Sequence, residues 1–323
     1  MIKQSPSPPH TPMHTIGIII VSYNTCALLR DCLASLRSCT LPLQIVVVDN
    51  GSRDESVPMV RSAFPEVNLV AHGANVGFAQ ANNLGFAWFA AQPDGLPPYL
   101  LLLNPDTVVH PGALESLVAF LEQHPRVGLV GPRLLNPDGT RQAAAFRFPT
   151  LLMTMLDLFP PGEVLPGRIY ASWWHGRYPQ EQHEAPFAID HPLGACMLLR
   201  RSTLEHVGPL DAHYFMYSEE VEWCWRIRQA GWAIWQVPAA RVTHIGGAAT
   251  SQFRHTMFIA LWQSRARFAA QRGPHWHLAA HQAIVRTGML RLSLKSWWAY
   301  LRGHLSHAQL RAHLWAYGEA VKR

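Results

Sequence analysis

Leu100-Leu101-Leu102-Leu103-Asn104-Pro105-Asp106-Thr107 decides the reading of this 323-residue chain. Four apolar residues in a row predict a strand buried on both faces, as in a parallel sheet covered by helices. Proline has no N–H to give to a sheet ladder, so the strand ends at Asn104-Pro105. The carboxylate of Asp106 then stands just beyond the tip of a buried strand, at the edge where open α/β sheets bind ligands. A hard oxygen ligand in that place suits Mg2+ or Mn2+ bridging phosphates. A solvated turn aspartate is the plainer alternative, because turns favour Asp.

The segments before it repeat the pattern. Ile16 to Ser22 (IGIIIVS) predicts a first buried strand, Tyr23-Asn24-Thr25 a turn, and Cys26 to Leu36 a helix with apolar residues at helical spacing. Gln44 to Val48 predicts a second strand ending in Asp49-Asn50-Gly51-Ser52-Arg53-Asp54, where Asn-Gly marks a turn and Ser52 or Asp54 can cap the next helix. Val67 to Ala71 predicts a third strand, leading through Asn75-Val76-Gly77-Phe78 into a helix that ends near Ala91. After Asp106 a helix is expected from about Pro111 to Gln123. This alternation predicts an α/β fold with a mainly parallel sheet.

Further on, Val127 to Leu135 continues the sheet, and Phe146 to Asp190 reads as a long irregular loop. Gly194 to Arg201 predicts a returning strand. Ser218-Glu219-Glu220-Val221-Glu222 opens a helix to Ala230 that Gly231 stops, and Ala233 to Val237 and Arg241 to His244 read as two short strands. From Phe253 the pattern is helical. Leu290, Leu294, Trp297, Trp298 and Leu301 recur at helical spacing among Arg286, Arg291, Lys295 and Arg302. Such a helix can lie on an anionic membrane surface, pack on the body, or form a dimer face.

Composition narrows the classes. A chain with 49% hydrophobic and 15% charged residues can build a full core, which excludes a disordered protein. The net charge of +6 is unevenly placed: residues 251–323 hold eleven Lys or Arg against one acidic residue, Glu319, so the rest of the chain is net negative. A basic tail on an acidic body points to an anionic partner. Cys26, Cys32, Cys39, Cys196 and Cys224 form no CxxC, which argues for a reducing compartment and against a zinc site. The proline-rich Ser5 to Pro12 is expected to be disordered and resembles no signal peptide, and no run is apolar and long enough to span a membrane.

Locally, the chemistry stays open. Glu219, Glu220 and Glu222 include adjacent carboxylates that can shift each other's pKa and supply a general base, or simply favour a helix N-terminus. His244, before Gly246-Gly247, is a metal ligand or a surface histidine. Asp49 accepts from a nucleobase or ribose, or forms a turn. A nicotinamide-binding Rossmann protein is disfavoured, since Val21-Ser22-Tyr23-Asn24-Thr25 offers no glycine.

Seven motifs in order carry a resemblance: Val21-Ser22-Tyr23-Asn24, Val47-Val48-Asp49-Asn50-Gly51-Ser52, Asn75-Val76-Gly77-Phe78-Ala79, Leu103-Asn104-Pro105-Asp106, Gly194-Ala195-Cys196-Met197-Leu198, Phe215-Met216-Tyr217-Ser218-Glu219-Glu220-Val221-Glu222-Trp223-Cys224-Trp225-Arg226, and His244-Ile245-Gly246-Gly247. Together they resemble the family-two inverting glycosyltransferases of GT-A fold, in the rhamnosyltransferase-like branch, over roughly Thr15 to Ser251. The resemblance implies a GT-A nucleotide-sugar-binding domain over residues 15–250, after a disordered segment 1–14 and before a basic region of amphipathic helices, 251–323. It implies that Ser22, Tyr23 and Asn24 line the nucleotide pocket, that Asp49 holds the base or ribose, and that Asn75, Gly77, Phe78 and Asn82 shape the donor site. Asp106 matches the last Asp of a DxD-type metal motif, with Asn104 in place of its first Asp, and His244 a histidine that completes Mg2+ or Mn2+ binding. Glu220 falls on the catalytic-base position beside Glu219, where the usual pair is Glu-Asp. Relatives often carry Asp-Trp where this chain has Asp190-His191-Pro192. The implied reaction is metal-dependent, inverting transfer of L-rhamnose or a related sugar from a dTDP- or UDP-linked donor to a lipid-linked or cell-envelope glycan. It would take place on the cytoplasmic membrane face, with no nucleic acid involved. A non-catalytic nucleotide-sugar binder of the same fold is the alternative.

Overall fold

The computed structural model describes residues 14–160, 172–247 and 253–322. In chain order its elements are β1 (Ile16–Ser22), α1 (Cys26–Leu36), β2 (Leu43–Asp49), α2 (Ser56–Ala63), β3 (Asn68–Ala71), α3 (Phe78–Ala90), β4 (Tyr99–Leu103), β5 (Thr107–Val109), α4 (Ala113–Gln123), β6 (Val127–Leu135), β7 (Arg141–Gln142), β8 (Ala145–Phe146), α5 (Leu151–Leu158), β9 (Phe187–Ala188), β10 (His191–Pro192), β11 (Cys196–Arg200), α6 (Arg201–Val207), α7 (Glu219–Gln229), β12 (Ala233–His244), α8 (Arg254–Arg272), α9 (His275–Leu301) and α10 (His307–Ala320).

The main sheet runs β3-β2-β1-β4-β11-β6-β12-β5. β3, β2, β1 and β4 are mutually parallel, as are β6 and β12, and β11 joins the two groups antiparallel. Strands that read as unbroken apolar runs are those covered on both faces: every residue of β1 and of β4 is buried. One face carries α1, α2 and α4 through Leu29, Leu33, Met59, Leu114 and Leu117. The other carries α3 and α7 through Phe86, Phe89, Trp223 and Ile227. A small third core, Leu158, Trp262, Val285, Met289 and Ala320, joins α5 to the C-terminal helices.

The structure departs from the expected elements at several places, the short strands β5 and β7 to β10 among them. Within the supposed irregular loop, Leu151–Leu158 is a helix, because Thr150 accepts from Met153 N at 3.3 Å and starts it. A short helix, α6, follows β11 directly. The two strands expected before Gly246 are one, β12, whose pairing with β6 shifts register between Val237 and Arg241, around Pro238. Of the two residues offered to cap α2, Asp54 meets its start, accepting from Ser56 N at 3.1 Å, while Ser52 accepts from Asn24 N at 3.0 Å. Ser5 to Pro12 lie outside the described residues.

The tail helices are attached to the body through α8. Ser264 donates to Met216 O at 2.9 Å, Tyr214 to Gln271 Oε1 at 2.7 Å, and Arg265 pairs with Asp157 at 2.6 Å. Along α9 the packing seam is Val285, Gly288, Met289 and Ser296, and a Cβ at Gly288 would meet Leu158 at 2.7 Å. The stripe Leu290, Leu294, Trp297, Trp298 and Leu301 is on the outside, so it does not pack on the body. Among the described residues, no helix is long and apolar enough to cross a membrane.

Candidate active site

Strand pairing assembles the first corner of the site. The chain turns at Asn104-Pro105-Asp106 between β4 and β5, and β5 pairs antiparallel with the end of β12, setting Thr107 opposite His244. That register brings Asp106 and His244 together, with Asp106 Oδ1 3.4 Å from His244 Nε2. Both are buried. Gly246 N donates to Asp106 Oδ2 at 3.1 Å and Ile245 N to Asp106 O at 3.0 Å. Gln142 Oε1 is 2.7 Å from His244 Nδ1, and Gln142 Nε2 donates to His244 O at 3.2 Å. With the proton on Nδ1, Nε2 presents its lone pair toward Asp106, which is how a ligating imidazole is usually held. A carboxylate oxygen and an imidazole nitrogen suit Mg2+ or Mn2+ if phosphate oxygens complete the shell. No group of three or more His, Cys, Asp or Glu side chains able to hold a metal occurs among the described residues.

The second corner is the start of α7. Tyr217 (φ 67°) and Ser218 (φ 64°) are consecutive non-glycine residues in the left-handed region. That backbone costs about 1 kcal/mol or more per residue. It is held by two neighbours: Phe78 N donates to Phe215 O at 2.8 Å, and Ser264 of α8 holds Met216 O. The chain leaves this kink with Glu219 buried and Glu220 partly open to the cleft. Each carboxylate keeps one oxygen, Oε2, without a hydrogen-bond partner. Burial pushes the Glu219 carboxyl well above the usual carboxylate range, and the charge of Glu220 adds to this. Burial raises Glu220 too, against the backbone N–H groups of Glu220, Val221 and Ser218, which favour its charged form. Glu222 does not belong to this corner. It forms a two-pronged ion pair with Arg226 at 2.7 and 2.9 Å, and Arg226 also donates to the Val207 and Pro209 carbonyls.

Both corners open on one cleft of about 400 Å3, also lined by Tyr23, Asn75, Phe78 and Asn104. Of the other residues expected at the donor site, Ser22, Asn24, Asp49, Gly77 and Asn82 are not among the residues lining this cleft. Ser22 is fully buried against Thr25, Asn24 Oδ1 accepts from Arg53 N at 2.8 Å, and Asn82 bonds back to Phe78 O at 2.9 Å. Asp49 accepts from Ser52 N at 3.1 Å through Oδ2, while its buried Oδ1 has no partner. Asp190 and His191 also lie off the cleft wall: Asp190 accepts from Phe148 N at 3.0 Å, and His191 stacks on Phe146 and Phe148. Residues the sequence reading missed include Asn50, whose amide ties Asn75 (3.0 Å) to Val76 N (2.9 Å), and Phe253 and Met257 of the tail, which line the cleft. Asn50 sits inside the Val47–Ser52 motif without being singled out there, and no local motif marks Phe253 or Met257.

Gly77 joins the corners. Its φ is +85°, and a Cβ there would sit 2.3 Å from Phe215 O. Gly77→Ala is therefore expected to push the donor loop off the Phe215–Ser218 kink, lowering stability by about 1–3 kcal/mol and weakening nucleotide binding. Thermal unfolding read beside nucleotide titration checks both.

A nucleotide-sugar-sized cleft at a parallel strand edge, with an Asp–His corner facing two carboxylates, is the arrangement of a sugar-transferring enzyme. Residues 17–208 match the family model described as glycosyl transferase family 2, and the chain belongs to that family. It is 31% identical, over 84% of its length and 89% of the relative's, to the N-acetylglucosaminyl-diphospho-decaprenol L-rhamnosyltransferase of Mycobacterium tuberculosis. It is 23% identical to the rhamnosyltransferase WbbL of Escherichia coli K12, over 80% of this chain and 93% of the relative. Its fold is similar to that of a mannosyltransferase from Pyrobaculum calidifontis in complex with GDP-Man and Mn2+ (TM-score 0.54, 16% identity, covering 98% of this chain and 88% of the other). The protein is a glycosyltransferase with a GT-A-like fold.

Proposed function

We propose that this glycosyltransferase moves L-rhamnose, or a closely related hexose, from a nucleoside-diphosphate sugar to a lipid-linked cell-envelope glycan, with inversion, at the cytoplasmic face of a membrane. The observation that carries this reading is the convergence of Asp106 and His244 with Glu219 and Glu220 on one cleft. The names of the mycobacterial and Escherichia coli relatives support rhamnose as the sugar, and the mycobacterial one supports a polyprenyl-diphosphate-linked acceptor.

Glu220 is the less buried residue of the pair, so it accepts the proton of the acceptor hydroxyl as that oxygen attacks C1. The new C1–O bond forms as the bond to the diphosphate breaks, and one displacement inverts the anomeric centre. Glu219, more deeply buried, keeps the pair's shared proton and lets Glu220 carry the charge. Asp106 and His244 would hold Mg2+ or Mn2+, which offsets charge on the leaving diphosphate when bound. Asp49, next to the lining residue Asn50, keeps a buried Oδ1 without a partner, which supports the expectation that it takes an N–H from the base or an O–H from the ribose.

A panel of nucleotide sugars with Mg2+ or Mn2+, read by thermal shift and followed by product analysis, tests the reading. A dTDP- or UDP-linked deoxyhexose is expected to raise the melting temperature most and to give an inverted product. A retained anomeric configuration, or no transfer with any donor and lipid-diphosphate acceptor, counts against it.

A further inference from the structure

The outward face of α9 is a large apolar surface without a partner among the described residues. Leu290, Leu294, Trp297 and Leu301 fall at i, i+4, i+7 and i+11, on the side away from the seam of Val285, Gly288, Met289 and Ser296. They are 61, 62, 46 and 76% exposed, and Trp298 beside them is 55% exposed. The seam is already satisfied by α5, α8 and α10, and among the described residues nothing buries this stripe. Its flanks are basic: Arg286 and Lys295 are exposed, and the guanidinium of Arg302 lies 3.5 Å over the ring of Trp298. No acidic residue occurs on α9. The acid of the following helix, Glu319, is paired with Lys322.

We infer that this face is the docking surface for an anionic lipid bilayer, with α9 lying in the plane of the interface. The leucines reach the acyl boundary, the two tryptophans sit at headgroup depth, and Arg286, Lys295 and Arg302 meet lipid phosphates. A second copy of the chain fits less well. In a two-fold dimer the same surface meets itself, which would bring six of these cations together around an apolar seam with no acid between them. This inference deepens the reading of a lipid-linked acceptor, because α9 connects through α8 to Met216 in the kink before Glu219 and to Tyr214 just ahead of it, while its vesicle-binding readout needs neither donor nor acceptor.

The test is co-sedimentation of the full chain with vesicles of phosphatidylcholine alone or mixed with phosphatidylglycerol. The wild type is expected to pellet with the anionic vesicles and to be released by salt. Leu294→Glu with Trp297→Glu should lower the partition coefficient by at least about tenfold. Arg286→Gln, Lys295→Gln and Arg302→Gln should lower it about fivefold each, on anionic vesicles only. All five positions are on the surface, so melting temperature and transfer to a short-chain, water-soluble acceptor should stay unchanged. Two results overturn the inference: wild type that stays in the supernatant with anionic vesicles, or a wild-type dimer in solution that the Leu294→Glu, Trp297→Glu variant makes monomeric with vesicle binding unaltered. Loss of transfer to every acceptor alongside intact vesicle binding would instead count against the proposed function.

Discussion

Glu220→Gln is expected to lower kcat by about 10²- to 10⁴-fold, the range of a lost general base, while nucleotide affinity stays within about twofold of wild type. Glutamine keeps the volume at the start of α7, and none of the contacts that shape the donor wall passes through the Glu220 side chain. What is lost is the proton acceptor facing the cleft. Glu219→Gln separates the two carboxylates: it should leave much of the rate, because Glu219 is the more buried residue of the pair and Glu220 keeps its own carboxylate at the cleft. Equal, severe losses in both variants would move the base to Glu219. No loss in Glu220→Gln would remove the general-base mechanism.

The pH profile follows from the same burial. Both carboxyls titrate above the ordinary carboxylate range, so kcat/KM should rise with pH through a raised acid limb rather than reaching its plateau in mild acid. Desolvation, the largest cause for Glu220, survives in Glu219→Gln, and that variant's acid limb should remain raised. Stability runs the other way. A carboxyl whose pKa is higher in the folded than in the unfolded chain binds its proton more tightly when folded. Its contribution is full below the unfolded value and is lost as pH rises through the folded one. Glu219→Gln should therefore raise the melting temperature at mildly alkaline pH and leave it nearly unchanged in acid.

The parts of this site that could be read in the sequence are those set by local rules. Leu100 to Leu103 had to be a doubly covered strand, Pro105 had to end it, and the acidic start of α7 stood out beside Tyr217 and Ser218. What could not be read are contacts across long separations. Gln142 holds His244 from 102 residues away, Ser264 holds Met216 from 48, and Gln271 holds Tyr214 from 57, each through an ordinary polar side chain with no motif around it. Helix α5 was hidden for another reason: Leu-Leu-Met-Thr-Met-Leu-Asp-Leu is too apolar to show a periodic face. The tail's role was half legible. Spacing gave the stripe, but only the packing of Gly288 on Leu158 shows which side of α9 is already used.

Asp106→Asn is expected to abolish any metal-dependent transfer, by about 10²- to 10⁴-fold for the several kcal/mol a bound cation contributes, with the fold intact. The amide can still accept from Gly246 N, so the β4–β5 turn keeps its shape. The charge it removes is not replaced nearby, because Asn104 is neutral and no third His, Cys, Asp or Glu completes a cluster with Asp106 and His244 among the described residues. One carboxylate and one imidazole hold a hard divalent ion weakly by themselves, and diphosphate oxygens must supply much of the remaining shell. Mn2+ alone should therefore shift the wild-type melting temperature little, and Mn2+ with a nucleoside diphosphate should shift it more than the two effects added. Asp106→Asn should lose that excess. Gln142→Leu, which frees His244 Nδ1, should weaken it by about 10- to 100-fold in metal affinity. Full transfer in excess chelator, with the Asp106→Asn variant equally active, would take the metal out of this corner and leave Asp106 a hydrogen-bonding residue of the turn.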